Sequence, residues 1–376
     1  MRNFIFIIAL FYWLLKVTGV SAVTFTEYFH TNESDYLIQN RGSDMELDST
    51  SYDFIARVVG YDWQKDHNQN SNSLTVNFRK ISDPITYLNS GIWNATRTKN
   101  EDHINNGKKL LVEIAKANTL YDTISPKKAS SMGRCYANGV KSSCHIHASQ
   151  EAMIFASHYI ISAINIKKYI TADEKVIIDG YINNMYTKFI KPLAEQDVSR
   201  GIYQMANGGI GRLAYAHWTN DIQLAKDEFK KRFNQIDRLT LKDGYYNNNS
   251  FRGVRALWYH SMGLDNVLGY IAIAKAWNVE VPEIVLNKAK LSAKVNNLGI
   301  DNYKGFKARS KPFNISNKNS SFKAKHSRKH SHQFATGLDI LMKNVIGIEM
   351  SFDPMWDRKK GYLHIDRMLG FHPKTL

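Results

Sequence analysis

FRGVRALWYHSMGLDNVLGY, residues 251 to 270, decides how the rest of the chain is read. At 100° per residue, Arg252, Arg255 and Tyr259 fall within about 60° of one another, while Val254, Leu257, Trp258, Ser261, Leu264 and Leu268 gather on the other side. The spacing predicts a helix over 252–277 with one packed face and one chemically loaded face. Two guanidinium groups beside a phenol, with His260 at the flank, suit recognition of an anion next to a proton-transfer residue. An amphipathic helix with simply solvated arginines shows the same pattern.

Outward from this stretch, apolar periodicity predicts further helices over 108–121, 148–169, 173–190 (with Pro192 near its end), 219–239, 282–294 and 332–345. Successive helices with few convincing strands argue for a mainly all-α fold of antiparallel helix pairs, packed as a bundle or wrapped as a double-layered ring. That domain is expected to span 107–376, with no internal repeat at a fixed spacing. Residues 23–106 are polar and rich in Asn, Ser and Tyr, with short β-like pieces at 52–59 and 73–78, and read as a lid or edge of the main domain. Their aromatics, Tyr52, Tyr61, Trp63, Tyr87 and Trp93, suit either core packing or stacking on sugars.

With 376 residues, 43% of them hydrophobic, the chain can bury a large core, which excludes disorder as its global state. Arg2, the apolar run from Phe4 to Leu15 and the small residues Val20-Ser21-Ala22 make residues 1–22 a secretory leader, and the mature protein secreted or periplasmic. No later segment is long and apolar enough for membrane insertion. The formal charge of +16 falls only by Arg2 and Lys16 when the leader goes. A basic protein outside the cytoplasm meets acidic glycans more often than nucleic acid, so an acidic polysaccharide is the expected partner. Cys135 and Cys144, with the turn pair Asn138-Gly139 between them, read as a local disulfide worth roughly 2–3 kcal/mol in an oxidising compartment. Cys144-His145-Ile146-His147 also offers metal-ligand types, but a zinc site needs a second spaced pair and none is evident, so no metal or cofactor is expected.

Two further stretches read as loops. In YQMANGGIGR, residues 203–212, Asn207 precedes two glycines, which leaves its backbone free to turn and its amide free to enter a cleft; a plain structural turn before a helix fits as well. The glycines do not make a dinucleotide-binding pattern. Residues 317–332 contain KAKHSRKHSH, a cationic run read as a solvated loop or as an electrostatic lure for an acidic polymer.

RGVRALWYH, followed by an aliphatic helix ending near Ala276-Trp277, resembles the corresponding segment of alginate-lyase-type polysaccharide lyases with an α/α-toroid fold. Upstream, the Asn207 stretch followed by Thr219-Asn220-Asp221 is similar to that family's asparagine-bearing active-site segment, and the likeness is clear over about residues 200 to 280. The resemblance implies β-elimination on a uronate polymer: the C5 proton is removed and the C4 oxygen expelled, without cofactor. It implies Asn207 and Arg252 as neutralisers of the uronate carboxylate and Tyr259 as proton donor to the leaving oxygen and, in syn elimination, also the base. A phenol is a weak base at neutral pH, so a guanidinium that favours phenolate helps, and Arg255 and Arg252 are both placed for it. Arg255, His260, Arg212 and Tyr203 are the implied substrate contacts.

One departure matters. The family pattern commonly carries a histidine just after the asparagine, whereas Gly208, Gly209 and Ile210 follow here. His147, which lies beside the expected disulfide, is the foremost replacement, with His217 and His260 as others. Two other classes fit the same composition: a glycoside hydrolase using two carboxylates from Glu151, Asp221, Asp237 or Asp265, and a non-catalytic binder of acidic glycans.

Overall fold

The computed structural model describes residues 23–25, 46–60, 79–121, 135–137, 140–142, 144–197, 201–202, 205–247, 249–252, 256–310 and 338–351. The expected leader, the β-like piece at 73–78, Tyr203, Arg255 and the cationic run at 317–332 lie outside them. For Cys135, Cys144, His147, Glu151 and Asn207 the backbone alone is described.

The described part is mainly helical, as the apolar periodicity requires. In chain order the helices are α1 (Ser49–Ala56), α2 (Arg79–Thr98), α3 (Glu101–Lys116), α4 (Cys144–Ile166), α5 (Ala172–Met185), α6 (Lys191–Asp197), α7 (Met205–Thr219), α8 (Ile222–Leu239), α9 (Ala256–Ala276), α10 (Glu283–Asp301), α11 (Tyr303–Arg309) and α12 (Leu338–Ile346). A turn of π-helix, Tyr186–Ile190, joins α5 to α6. The described strands are one short antiparallel hairpin, β1 (Cys135–Ala137) with β2 (Val140–Ser142), which precedes α4.

Helix ends follow local chemistry. Asp221 caps α8 by accepting from Leu224 N at 2.9 Å, and Thr171 with Glu174 forms a reciprocal capping box on α5. Asn220 and Asn278 end α7 and α9 with φ of 58° and 55°, the left-handed region that asparagine tolerates best among residues with a side chain. The short link between α7 and α8 folds them back on each other, and α2 packs on α4, α4 on α7, α8 on α10, and α9 on both α10 and α12.

Three expectations are corrected. The segment 52–59 is not β-like: Asp48 accepts from Ser51 N at 2.8 Å and starts α1, which buries Ile55 against α3. The boundary at 106/107 falls inside α3, and α2 joins the same hydrophobic core as α4 through Ile85, Leu88 and Ile92, so 79–121 belongs to the main body. Asn94-Ala95-Thr96 in α2 has the pattern of a glycosylation acceptor, but Asn94 is only 7% exposed and accepts from Arg97, so its amide is not available to a glycan in the folded state.

The third correction concerns residues 203–212, where the chain from Met205 onward is helix rather than loop. Its glycines serve close packing. A methyl group on Gly209 would overlap the Tyr270 hydroxyl on α9 and stand 2.5 Å from Glu228 Oε1, and one on Gly211 would overlap the Ser157 hydroxyl on α4. Gly209→Ala is therefore expected to lower stability by more than about 2 kcal/mol despite alanine's better helix propensity, read as a lower denaturation midpoint.

α9 is the hub. From His260 to Ile271 every residue is buried, so it packs on all sides rather than along one stripe. Trp277, just beyond its end, is fully buried, and Phe25 stands edge-on to it with ring centroids 4.9 Å apart. Thr24 N donates to Trp277 O at 3.1 Å, and Phe25 also lies against His217 at the end of α7. The first residues after the expected leader thus tie α7 to α9.

Candidate active site

The site begins at the turn that precedes α9. Phe251 is buried in a small apolar cluster with Tyr245, Leu257, Val295 and Phe306, which fixes the backbone next to Arg252. The helix starts at Ala256, four residues later than Arg252, so the guanidinium and the phenol do not share a helical face as the spacing predicted. They meet nevertheless: Arg252 Cζ lies 4.4 Å from the centroid of the Tyr259 ring. The cation sits over the π face, with the Trp258 ring 4.8 Å from that of Tyr259, and both Arg252 and Tyr259 are half-buried. Tyr259 therefore stands at the rim of the core with a fixed positive charge beside it.

His260 does not. It is 0% exposed and both ring nitrogens are engaged. A carbonyl can only accept, so the Nε2 contact of 2.9 Å to Ser292 O makes Nε2 the protonated nitrogen and Nδ1 an acceptor. Ser250 therefore donates its hydroxyl hydrogen to Nδ1 at 2.8 Å while accepting from Tyr246 N at 2.8 Å. This geometry replaces the expected substrate contact through His260 with a packing role, because no ring nitrogen is left to face a ligand.

Burial holds the His260 imidazole neutral, its pKa pushed down from 6.5 to about 4 by desolvation, with the Ser292 carbonyl opposing. The unfolded chain takes up this proton below pH 6.5 and the folded one only near 4. The contribution to stability is full above pH 6.5 and is lost as pH falls from there through 4, amounting to roughly 3 kcal/mol. Urea titrations at pH 7, 5.5 and 4 are expected to show this loss, and His260→Gln to flatten it.

Arg212 is likewise drawn inward. It is 8% exposed, with Nε 3.7 Å from Glu228 Oε2 and Nη1 3.8 Å from Glu195 Oε1. Glu228, fully buried, also binds Arg232 at 2.5 Å, and Arg232 donates to Gln235 Oε1 and to Ala194 O, each at 2.9 Å. With two carboxylates already beside it, Arg212 has little positive potential to offer an anionic sugar. It holds α7 to α6 and α8 beneath Gly209, replacing the substrate contact expected of it. This network escaped the sequence reading; the signal in retrospect is Glu228 and Arg232 four apart on the apolar side of α8.

Asn207 lies in the first turn of α7, and that turn is strung between two anchors on α9. Ile202 O accepts from Asn266 Nδ2 at 3.1 Å, and Gly209 abuts Tyr270. Gly201 meanwhile packs on the side chain of Asn249, three residues before Arg252. The backbone six residues before Asn207 therefore lies against the loop that carries Arg252, while α7 itself is anchored at the middle of α9 and beyond.

Other candidates are spoken for. His217 is buried between Phe25 and Trp277 at the far end of α7. Asp221 is a helix cap and Asp237 pairs with Lys288 at 2.5 Å, both on the exposed surface, while Asp265 is buried at 2% exposure on the hub helix. Among the described residues no three His, Cys, Asp or Glu side chains gather as a metal site, and no helix is long and apolar enough to cross a membrane. A scan against protein-family models finds none that matches, and a search of curated proteins finds no match either.

Proposed function

We propose that this chain is a secreted or periplasmic polysaccharide lyase that cleaves an acidic polyuronate by β-elimination on an incomplete α/α toroid. The observation that carries the reading is the Arg252 guanidinium stacked 4.4 Å from the centre of the half-buried Tyr259 ring. A C5 proton is poorly acidic while the neighbouring carboxylate is ionised, so catalysis depends on a group that binds the extra charge of the enolate-like transition state more tightly than the ground state. Arg252 and the amide of Asn207 take that role, and the packing of Gly201, six residues before Asn207, on Asn249, three residues before Arg252, supports the pairing.

Tyr259 donates a proton to the leaving C4 oxygen. With His217 and His260 both in the core, the C5 proton goes either to Tyr259, as phenolate that then protonates the leaving oxygen in a syn elimination, or to His147, whose side chain lies outside the described residues. Helices that fold back on each other, α7 on α8 and α9 on α10, support a toroid as the frame for this site. The strong positive charge supports a polyanionic substrate. Incubating purified protein with a panel of polymannuronate, polyguluronate, polyglucuronate and polygalacturonate tests it. A lyase produces unsaturated ends with ultraviolet absorbance. Saturated ends alone would point to hydrolysis, and salt-sensitive retention without shortening to a binder.

A further inference from the structure

The Ser250–His260 hydrogen bond joins two points of the chain that lie just outside the Arg252–Tyr259 pair. Ser250 precedes Arg252 by two residues, and His260 follows Tyr259 directly. At 2.8 Å the bond closes the intervening chain into a ring that contains both groups. Its two ends are fixed independently. Tyr246 N and O both bond Ser250, at 2.8 Å to the hydroxyl and 3.0 Å from Ser250 N, which sets the turn. On the other side His260 Nε2 donates to Ser292 O, and Ser292 in turn donates to Gly244 O at 2.8 Å, which ties the ring to α10 and to the start of the same loop. Ser250, His260 and Ser292 are all 0% exposed, so water does not compete for these bonds.

We infer that Ser250 and His260 are positioning residues for the lyase reaction: their hydrogen bond is the clasp that sets the Arg252 guanidinium over the Tyr259 ring. This rests on the reading of Arg252 and Tyr259 as the reacting pair. The clasp has a physical rationale because Arg252 lies off the helix and a long side chain on a turn retains rotamer freedom unless its backbone is held. Stacking a guanidinium on a phenol tolerates little drift, and misplacement by about 1 Å can cost about 10²-fold in rate.

The test uses two substitutions at one position that each keep half of the imidazole's bonding. His260→Asn leaves an amide oxygen near the place of Nδ1 and can still accept from Ser250. His260→Gln reaches the place of Nε2 and can still donate to Ser292 O, but gives up Ser250. Ser250→Ala removes the clasp from the other end. In protein labelled at arginine, the ring current of Tyr259 displaces the Arg252 side-chain resonances, which are identified by their disappearance in Arg252→Lys.

The expected result is that His260→Asn keeps the displaced resonances, while His260→Gln and Ser250→Ala move them toward random-coil positions in protein that still melts cooperatively. In activity, Gln and Ala lower kcat about 10-fold or more and raise KM, as loss of Arg252 does, Asn retains most of the activity, and Ser250→Ala adds nothing further in an Arg252→Ala background. Displaced resonances that persist in all three variants overturn the proposal. Loss of native structure in all three also overturns it, since the histidine then serves the core as a whole. If wild-type protein makes no unsaturated product from any polyuronate, the proposed reaction fails while the resonance shifts still decide whether the clasp sets the pair.

Discussion

Tyr259→Phe is expected to remove unsaturated product formation by about 10²- to 10⁴-fold while leaving the fold untouched. The ring remains, so the cation above it at 4.4 Å and the Trp258 ring at 4.8 Å keep their partner; only the hydroxyl that carries the proton is lost. Ultraviolet absorbance of product measures the loss, and a thermal melt indistinguishable from wild type shows that it is chemical. Full activity in this variant ends the tyrosine assignment. The loss is to be in kcat more than in KM: the phenol acts on the reacting atoms and contributes little to holding the polymer. Arg252→Ala differs in kind, since it removes charge that binds the carboxylate before and during reaction, so both parameters suffer, and Arg252→Lys restores the charge without the planar fork.

Glu228→Ala is expected to cost about 3–5 kcal/mol of stability, because it takes from the fully buried Arg232 the carboxylate that lies 2.5 Å away. Arg232 keeps its neutral acceptors Gln235 Oε1 and Ala194 O, and Arg212 loses the nearer of its two anions. The melting temperature is expected to fall by something on the order of 10 °C. Glu195→Ala is the control: its side chain is about half exposed and 3.8 Å from Arg212, so its removal costs under about 1 kcal/mol. Equal effects of the two would show that the buried network carries no special weight. Activity in Glu228→Ala, assayed well below its melting point, reports whether the seat of α7 is needed to present Asn207.

Much of the fold was legible because periodicity is a local property. The prediction over 173–190 met α5 and the π turn, Pro282 stands at the start of α10, and α8 runs to the residue expected. What escaped depends on distant partners. Gly209 and Gly211 look like loop residues until Tyr270 and Ser157 are known to stand against them. Residues 52–59 look β-like because Tyr52, Phe54, Ile55, Val58 and Val59 are all strand formers, and a single cap at Asp48 with burial against α3 overrides that preference. α9 misled in a different way. One packed stripe was expected, with Ser261 on it, yet His260 and Asn266 are buried too and make hydrogen bonds to neighbouring segments, a pattern that no spacing rule separates from amphipathicity. The Arg252–Tyr259 proximity was anticipated from the wrong geometry: a shared helical face was expected, and a turn folded back over the ring delivers it.

The seat of Val23, Thr24 and Phe25 on the far end of the hub helix bears on how this protein is best produced. Val23 is only 7% exposed, and Phe25 packs as a plug on both the His217 and Trp277 rings. An affinity handle fused directly ahead of Val23 would have to leave through that plug, and a recombinant chain begun a few residues later would leave an indole uncovered. Tryptophan emission that shifts to the red on trimming residues 23–25 would report the uncovered Trp277.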